Sequence, residues 1–259
     1  MDNSIEIGKE KVPALGLGTY QLMGKSGEQS VSDAIRIGYR HLDTAQYYRN
    51  EEMVGNAVRQ SGKDRKEFFI TTKIWPTDFT KRSFMPKVEQ SLRELNAGYI
   101  DLLLLHWPAD DNANDLACDL LNECIHKGYT RLVGVSNFGI PQLKRARQRM
   151  PVFCNQVEYN PYVDQTEMLE YIHDNNLLMT AYTPLARGRV NKDSALVELA
   201  GKYEKSVSQL VLRWFIQQKN VSPIPKAGSE KHLLENSQVF DFIITDSDMH
   251  TIFNLAIKK

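Results

Sequence analysis

Ile100-Asp101-Leu102-Leu103-Leu104-Leu105-His106 holds four consecutive leucines just before a histidine, so a strand here is apolar on both faces. That is the pattern of a strand in a parallel sheet, covered by helices outside and by core inside. Working outward from it, short apolar runs recur at 14–18, 41–43, 69–73, 100–105, 132–135, 153–157, 178–182 and 221–224. Between and after them lie stretches with apolar residues every three or four positions, at 31–37, 51–60, 84–95, 116–126, 141–148, 166–174, 206–218 and 230–238. Eight strands alternating with eight helices predict one α/β domain over residues 1–259, a closed (β/α)8 TIM barrel. A small hairpin around Gly8 precedes it, and two extra helices are expected at 194–203 and 246–256.

Composition restricts the function. Of 259 residues, 42% are apolar and 25% charged, and lysine plus arginine balances aspartate plus glutamate. A neutral chain lacks the basic surface that nucleic acid or an anionic membrane requires as a partner. No run is long enough to span a membrane, and Met1-Asp2-Asn3-Ser4 is not the start of a signal peptide. Cys118, Cys124 and Cys154 are odd in number and lack metal-like spacing, which suits reduced core thiols in a cytoplasm. With no exposed apolar stripe evident, a monomer is expected, and no metal site.

Sites in such barrels lie at the carboxyl ends of the strands. The second strand ends in Asp43, the third in Lys73 and the fourth in His106, while the fifth runs into Ser136-Asn137, the sixth carries Asn155-Gln156 and the seventh ends in Tyr182. Taken singly, Lys73 reads equally as a rim charge, His106 as a core histidine and Asp43 as a helix-start acid. Together on adjacent strands they make an acid–base site. Tyr48, five residues beyond Asp43, sits on the turn above it. A free phenol has a pKa of about 10, and an ammonium at roughly 4 Å in an effective dielectric near 20 favours the phenolate by about 4 kcal/mol. Lys73 is therefore expected to draw Tyr48 toward its working range, Asp43 to keep Lys73 charged, and His106 to orient a substrate oxygen. The outcome is a proton donor beneath a carbonyl, with the reducing equivalent coming from elsewhere.

Seven motifs stand in order at or near the strand ends: Leu15-Gly16-Leu17-Gly18-Thr19-Tyr20, His41-Leu42-Asp43-Thr44-Ala45, Ile70-Thr71-Thr72-Lys73-Ile74-Trp75, Asp101 to Pro108, Gly134-Val135-Ser136-Asn137-Phe138, Asn155 to Tyr162 and Tyr182-Thr183-Pro184-Leu185. Through them the chain resembles, along essentially its whole length, the aldo-keto reductases, and is similar to small bacterial members of the 2,5-diketo-D-gluconate reductase type. The resemblance implies hydride transfer from NADPH, with NADH as the second candidate, to a small aldehyde or ketone protonated by Tyr48. It implies that Asp43, Lys73 and His106 complete the catalytic set. It also implies that Ser136, Asn137 and Gln156 hold the nicotinamide carboxamide, that Tyr182 stacks on the ring, and that Gly18, Thr19, Asp43, Thr183, Pro184 and Leu185 border the cofactor. Lys226, Ala227 and His232 then fall at the cofactor phosphate, Glu235 and Asn236 at the adenine, and Tyr20, Trp75, His106 and Trp107 around the substrate.

Gly16-Leu17-Gly18 lacks a third glycine, since Gln21 stands in its place, and reads as a close backbone approach at the barrel mouth rather than a dinucleotide turn. Two departures from the family pattern stand out. Ala227 replaces the usual hydroxyl residue and His232 the usual arginine, which weakens a bidentate grip on a 2′-phosphate. The chain stops at Lys259 where many relatives continue into a loop over the pocket, and the segment 109–115 is short, so an open pocket with broad selection among aldehydes, dicarbonyls and keto sugars is expected. Two other classes stay open: a lyase forming a Schiff base on Lys73, and a nicotinamide-binding regulatory subunit.

Overall fold

A computed structural model describes residues 3–257; the terminal residues Met1, Asp2, Lys258 and Lys259, used above, lie outside the described residues. Strands β1 (Ser4–Ile7) and β2 (Glu10–Pro13) form the expected antiparallel hairpin around Gly8, whose φ of 62° suits a tight turn. Eight parallel strands follow in chain order around one sheet. They are β3 (Gly16–Gly18), β4 (His41–Asp43), β5 (Phe69–Ile74), β6 (Ile100–Leu105), β7 (Thr130–Ser136), β8 (Val152–Glu158), β9 (Leu178–Tyr182) and β10 (Val221–Pro223). Seven of the expected helices occupy the crossovers and the eighth follows the last strand: α1 (Gly24–Ile37), α2 (Glu51–Gln60), α3 (Phe84–Glu94), α4 (Asp111–His126), α5 (Ile140–Arg147), α6 (Thr166–Asp174), α8 (Val207–Ile216) and, after β10, α9 (Glu230–Ser237). The two extra helices are α7 (Ser194–Lys202) and α10 (Asp246–Ile257). Among the described residues no helix is long and apolar enough to cross a membrane.

Strand alternation sorts the core into two layers. Leu103 and Leu105 join the large cluster between sheet and helices, whereas Leu102 and Leu104 join Phe69, Cys154 and Leu178 inside the barrel. Ile7 and Val12 of the hairpin belong to that inner cluster and close the floor of the barrel. Asp101 secures the same end, accepting from Arg65 at 2.6 Å, Arg131 at 2.9 Å and the Ile70 amide at 3.0 Å, and Arg131 also pairs with Glu10 of the hairpin. In β5 the same parity sends Phe69, Thr71 and Lys73 inward and turns Ile70, Thr72 and Ile74 toward the helices.

The barrel closes between its first and last strands at the G-x-G. The Gly18 amide donates to the Pro225 carbonyl at 3.1 Å. A Cβ on Gly18 would lie 2.7 Å from the Ile224 carbonyl oxygen, and one on Gly16 2.7 Å from the His41 ring. The glycines thus serve the close backbone approach read from the sequence.

Boundaries differ in two places. Helix α1 begins at Gly24 rather than residue 31, and α4 at Asp111 rather than 116, because both opening turns are polar and give no apolar period. Most of the segment 109–115, expected as a loop, is therefore helix, started by Asp110, whose carboxylate accepts from the Asn112 and Ala113 amides at 3.0 Å each. Glycine at the seam makes a stability prediction. Gly18→Ala should cost about 1–3 kcal/mol by overpacking against fixed backbone, lowering the thermal midpoint by several degrees in circular dichroism; an unchanged midpoint would show that the seam can open to admit a methyl group.

Candidate active site

Four side chains meet where β4, β5 and β6 end. Asp43 is the last residue of β4, and Lys73 projects inward from β5; both are fully buried. Lys73 Nζ donates to Asp43 Oδ1 at 2.5 Å and to the Thr44 carbonyl at 2.8 Å, and Gln156 Nε2 donates to Asp43 Oδ2 at 2.7 Å. Both carboxylate oxygens face donors, so the pair is an ammonium and a carboxylate. Burial pushes Lys73 down, but its charged and hydrogen-bonded surroundings, the Asp43 carboxylate first among them, outweigh it and hold the ammonium above the ordinary lysine range.

Tyr48 ends a 3₁₀ turn, Gln46–Tyr48, that Arg49 closes in the left-handed region at φ 55°. Its ring centre lies 5.1 Å from Lys73 Nζ, 5.5 Å from the His106 ring and 5.0 Å from that of Tyr20. Burial raises the phenol above its usual pKa, and Lys73 lowers it by less than burial raises it. The expectation that Lys73 draws the resting phenol into its working range is thus corrected: desolvation dominates, Asp43 offsets part of the ammonium field, and Tyr48 holds its proton. His106 follows β6; burial, reinforced by Lys73, drops its pKa to about 3, so the ring is neutral, and its Nδ1 is buried without a partner among the described residues.

These groups open into a cavity of about 660 Å³, an ordinary size for a ligand pocket. Asp43, Tyr48 and His106 line it, with Gly18, Tyr20, Trp107, Ser136, Asn137, Gln156, Tyr182, Thr183, Pro184, Leu185 and Lys226, all expected from the sequence. Lys73 lies behind them. The amide shelf is prearranged: Ser136 Oγ donates to the Gln156 carbonyl at 2.9 Å, Asn137 Nδ2 to Ser136 Oγ at 3.0 Å, and Tyr182 Oη to Asn137 Oδ1 at 2.9 Å. Acceptor lone pairs on Ser136 and Asn137, and the second N–H and the oxygen of Gln156, remain for a carboxamide. The residues present fit that group.

Several expected residues fall elsewhere. Thr19 is fully buried and ties down Asp43, its amide and hydroxyl both donating to the Asp43 carbonyl at 2.9 Å. Trp75 does not line the cavity; it stacks on Tyr47 at 4.2 Å and meets the His106 ring at 5.0 Å. Ala227 is buried in the outer core, because its methyl group turns to the apolar side of the loop. His232 is exposed on α9, with its amide on the Ser229 cap at 3.4 Å; Glu235 is partly buried, Asn236 is buried, and none of the three lines the cavity.

Sequence reading missed the loop after β9, which brings Arg187, Gly188 and Asn191 to the cavity wall. That loop winds through left-handed positions at Thr183, Ala186, Arg187 and Gly188. A basic, glycine-bearing Ala186-Arg187-Gly188-Arg189 directly after a barrel strand was the available signal.

Comparison with known proteins agrees with this geometry. The sequence profile of the Aldo/keto reductase family matches residues 14–257. Glyoxal reductase of Bacillus subtilis is 36% identical over 245 residues, covering 93% of this chain and 88% of that one. Methylglyoxal reductase DkgB of Salmonella typhimurium is 33% identical over 246 residues, covering 93% and 92%. A solved structure of a candidate 2,5-diketo-D-gluconic acid reductase B superposes with a TM-score of 0.95 at 37% identity, covering 98% of this chain and 92% of that one. With its barrel, its strand-end residues and this extent of match, the chain belongs to the aldo/keto reductase family.

Proposed function

We propose that the protein reduces small aldehydes and ketones, dicarbonyls foremost, to alcohols with NADPH, using Tyr48 as the proton donor. The observation that carries this reading is the Tyr48 and His106 rings side by side on the cavity wall, 5.5 Å apart, above a buried Lys73–Asp43 ion pair. Names of the relatives, a glyoxal and a methylglyoxal reductase, support small dicarbonyls.

When bound, a reduced nicotinamide supplies the hydride; Ser136, Asn137 and Gln156 would hold its carboxamide and Tyr182 its ring. The chain's own residues do the rest. Tyr48 gives its proton to the carbonyl oxygen as the carbon is reduced, and solvent returns that proton afterwards. Lys73 stabilises the phenolate left behind, the moment at which its field matters most. Asp43 holds Lys73 and, through Gln156, ties it to the amide shelf. His106, being neutral, orients the carbonyl by a hydrogen bond without competing as an acid. Tyr20 and Trp107, both exposed on the cavity wall, give the mouth an aromatic rim suited to the flat face of a carbonyl compound. Arg187 and Lys226 on the wall provide the positive charge a dinucleotide phosphate needs. The Schiff-base alternative is disfavoured because Lys73 is a fully buried ammonium that does not reach the cavity.

Three outcomes follow. Tyr48→Phe should lower kcat for methylglyoxal by about 10²–10⁴-fold while NADPH still binds, read by cofactor absorbance and fluorescence; full activity would remove Tyr48 from the mechanism. The ring nitrogens of His106 should keep the NMR shifts of neutral imidazole at pH 5, since its folded pKa lies near 3; an imidazolium signal there would refute the neutral role. Because Lys226 remains and Lys231 and His232 keep the start of α9 basic, kcat/KM should be higher with NADPH than with NADH, and the reverse order would reassign the cofactor.

A further inference from the structure

Glu51 is the buried acid that the mechanism leaves unused. It is the first residue of α2, three positions beyond Tyr48, and is 1% exposed. It lies outside the barrel wall, on the far side of β5 from Lys73. Thr72, the neighbour of Lys73 that faces outward, donates its hydroxyl to Glu51 Oε1 at 2.5 Å. Ser91 of α3 donates to Glu51 Oε2 at 3.2 Å. Ser91 in turn accepts from Gln46 Nε2 at 2.9 Å, and the same amide nitrogen donates to the Lys87 carbonyl at 2.6 Å. Gln46 is the first residue of the turn that ends in Tyr48.

One carboxyl group therefore reaches both halves of the catalytic pair. Through Thr72 it grips the strand that aims Lys73 inward, and through Ser91 and Gln46 it grips the turn that carries Tyr48. A buried acid with only hydroxyl partners is costly, and an apolar residue could fill its volume without that cost. We propose that Glu51 is a positioning residue for proton transfer, holding the Tyr48 turn and the Lys73 strand at their working separation from behind the barrel wall. This rests on the assignment of Tyr48 and Lys73 made above.

Hydrogen counting supports it. Both Glu51 oxygens already accept a hydroxyl hydrogen, both Gln46 amide hydrogens are used, and Gln46 Oε1 is buried with no donor among the described residues. A proton on one Glu51 oxygen therefore turns away the hydroxyl that donates to that oxygen and loosens one arm of the network. Burial pushes the carboxyl up, the Thr72 and Ser91 hydroxyls pull it down, Glu94 of α3 pushes it up and Lys73 across the wall pulls it down, leaving it at about 7. Its charge thus changes near neutral pH: neutral below, ionised above.

The test compares wild type, Glu51→Gln, Glu51→Ala, Gln46→Leu and Tyr48→Phe with methylglyoxal and NADPH. A misplacement of about an ångström in such a site costs on the order of 10²-fold. Glu51→Ala and Gln46→Leu should each lower kcat by about tenfold or more, with KM and NADPH affinity changed by less than about twofold. Glu51→Gln, which keeps shape and part of the bonding, should retain more activity, and its kcat–pH profile should lack an inflection near pH 7 that wild type shows. If Glu51→Ala fails to fold, Glu51→Gln and Gln46→Leu decide the matter by the same readouts. Wild-type kcat and pH profile in both, beside an inactive Tyr48→Phe, would overturn the inference alone. A fully active Tyr48→Phe would overturn the assignment beneath it, and the inference with it.

Discussion

The ion pair of Lys73 with Asp43 is the constraint that the rest of the site obeys. Removing an ammonium and a carboxylate from water costs several kcal/mol for each ion, so such a pair persists only if its hydrogen-bonding capacity is met. Here it is met by the fold itself. Asp43 faces Lys73 and Gln156, and Lys73 faces Asp43 and the Thr44 carbonyl. Those partners come from β4, β5 and β8 and from the turn after β4, so the pair pins opposite sides of the barrel together at its mouth. Its charge is of little use to the resting phenol, which burial keeps protonated. It becomes useful when Tyr48 turns anionic, in a setting where few other charges compete.

Pairing at that depth needs a barrel that closes tightly. β10 meets β3 across Gly16 and Gly18, where side chains would strike His41 and the Ile224 carbonyl. Asn50 then ties the upper rim: its amide donates to the Thr19 and Leu22 carbonyls at 2.8 and 3.0 Å and its oxygen accepts from Thr44 at 2.7 Å. The loops of the first and second strands are thereby fixed to each other, and the Tyr48 turn between Thr44 and Asn50 has little freedom. Rigidity at this place suits a donor whose phenol must meet a substrate oxygen at hydrogen-bond distance.

Most of this was legible because strands report themselves. Period-two alternation places Lys73 inside and Thr72 outside whatever the loops do, and strand ends of a barrel converge, so Asp43, Lys73 and His106 could be gathered from sequence. Loops obey no such period. Trp75 was expected at the substrate, but it stacks on Tyr47 and against the His106 ring without lining the cavity. Thr19 was expected at the cofactor, and its hydroxyl instead braces Asp43 from beneath. The polar first turns of α1 and α4 were invisible to apolar periodicity, and the Arg187 loop depends on consecutive left-handed residues that composition does not announce.

The same distinction explains why the far end of the cofactor is harder to assign than the chemistry. Ala227 looked like a loss at the phosphate, a missing hydroxyl in a binding loop. Its methyl group is 4% exposed and packs in the outer core, so that position contributes apolar anchoring for the loop. The loop so anchored presents its neighbour Lys226 to the cavity, whose wall also carries a second cation, Arg187, that sequence reading did not weigh. An anionic ligand here therefore does not depend on His232 for its charge balance. The replacement of arginine by histidine at that position then bears on how well a 2′-phosphate is distinguished, rather than on whether a dinucleotide is held.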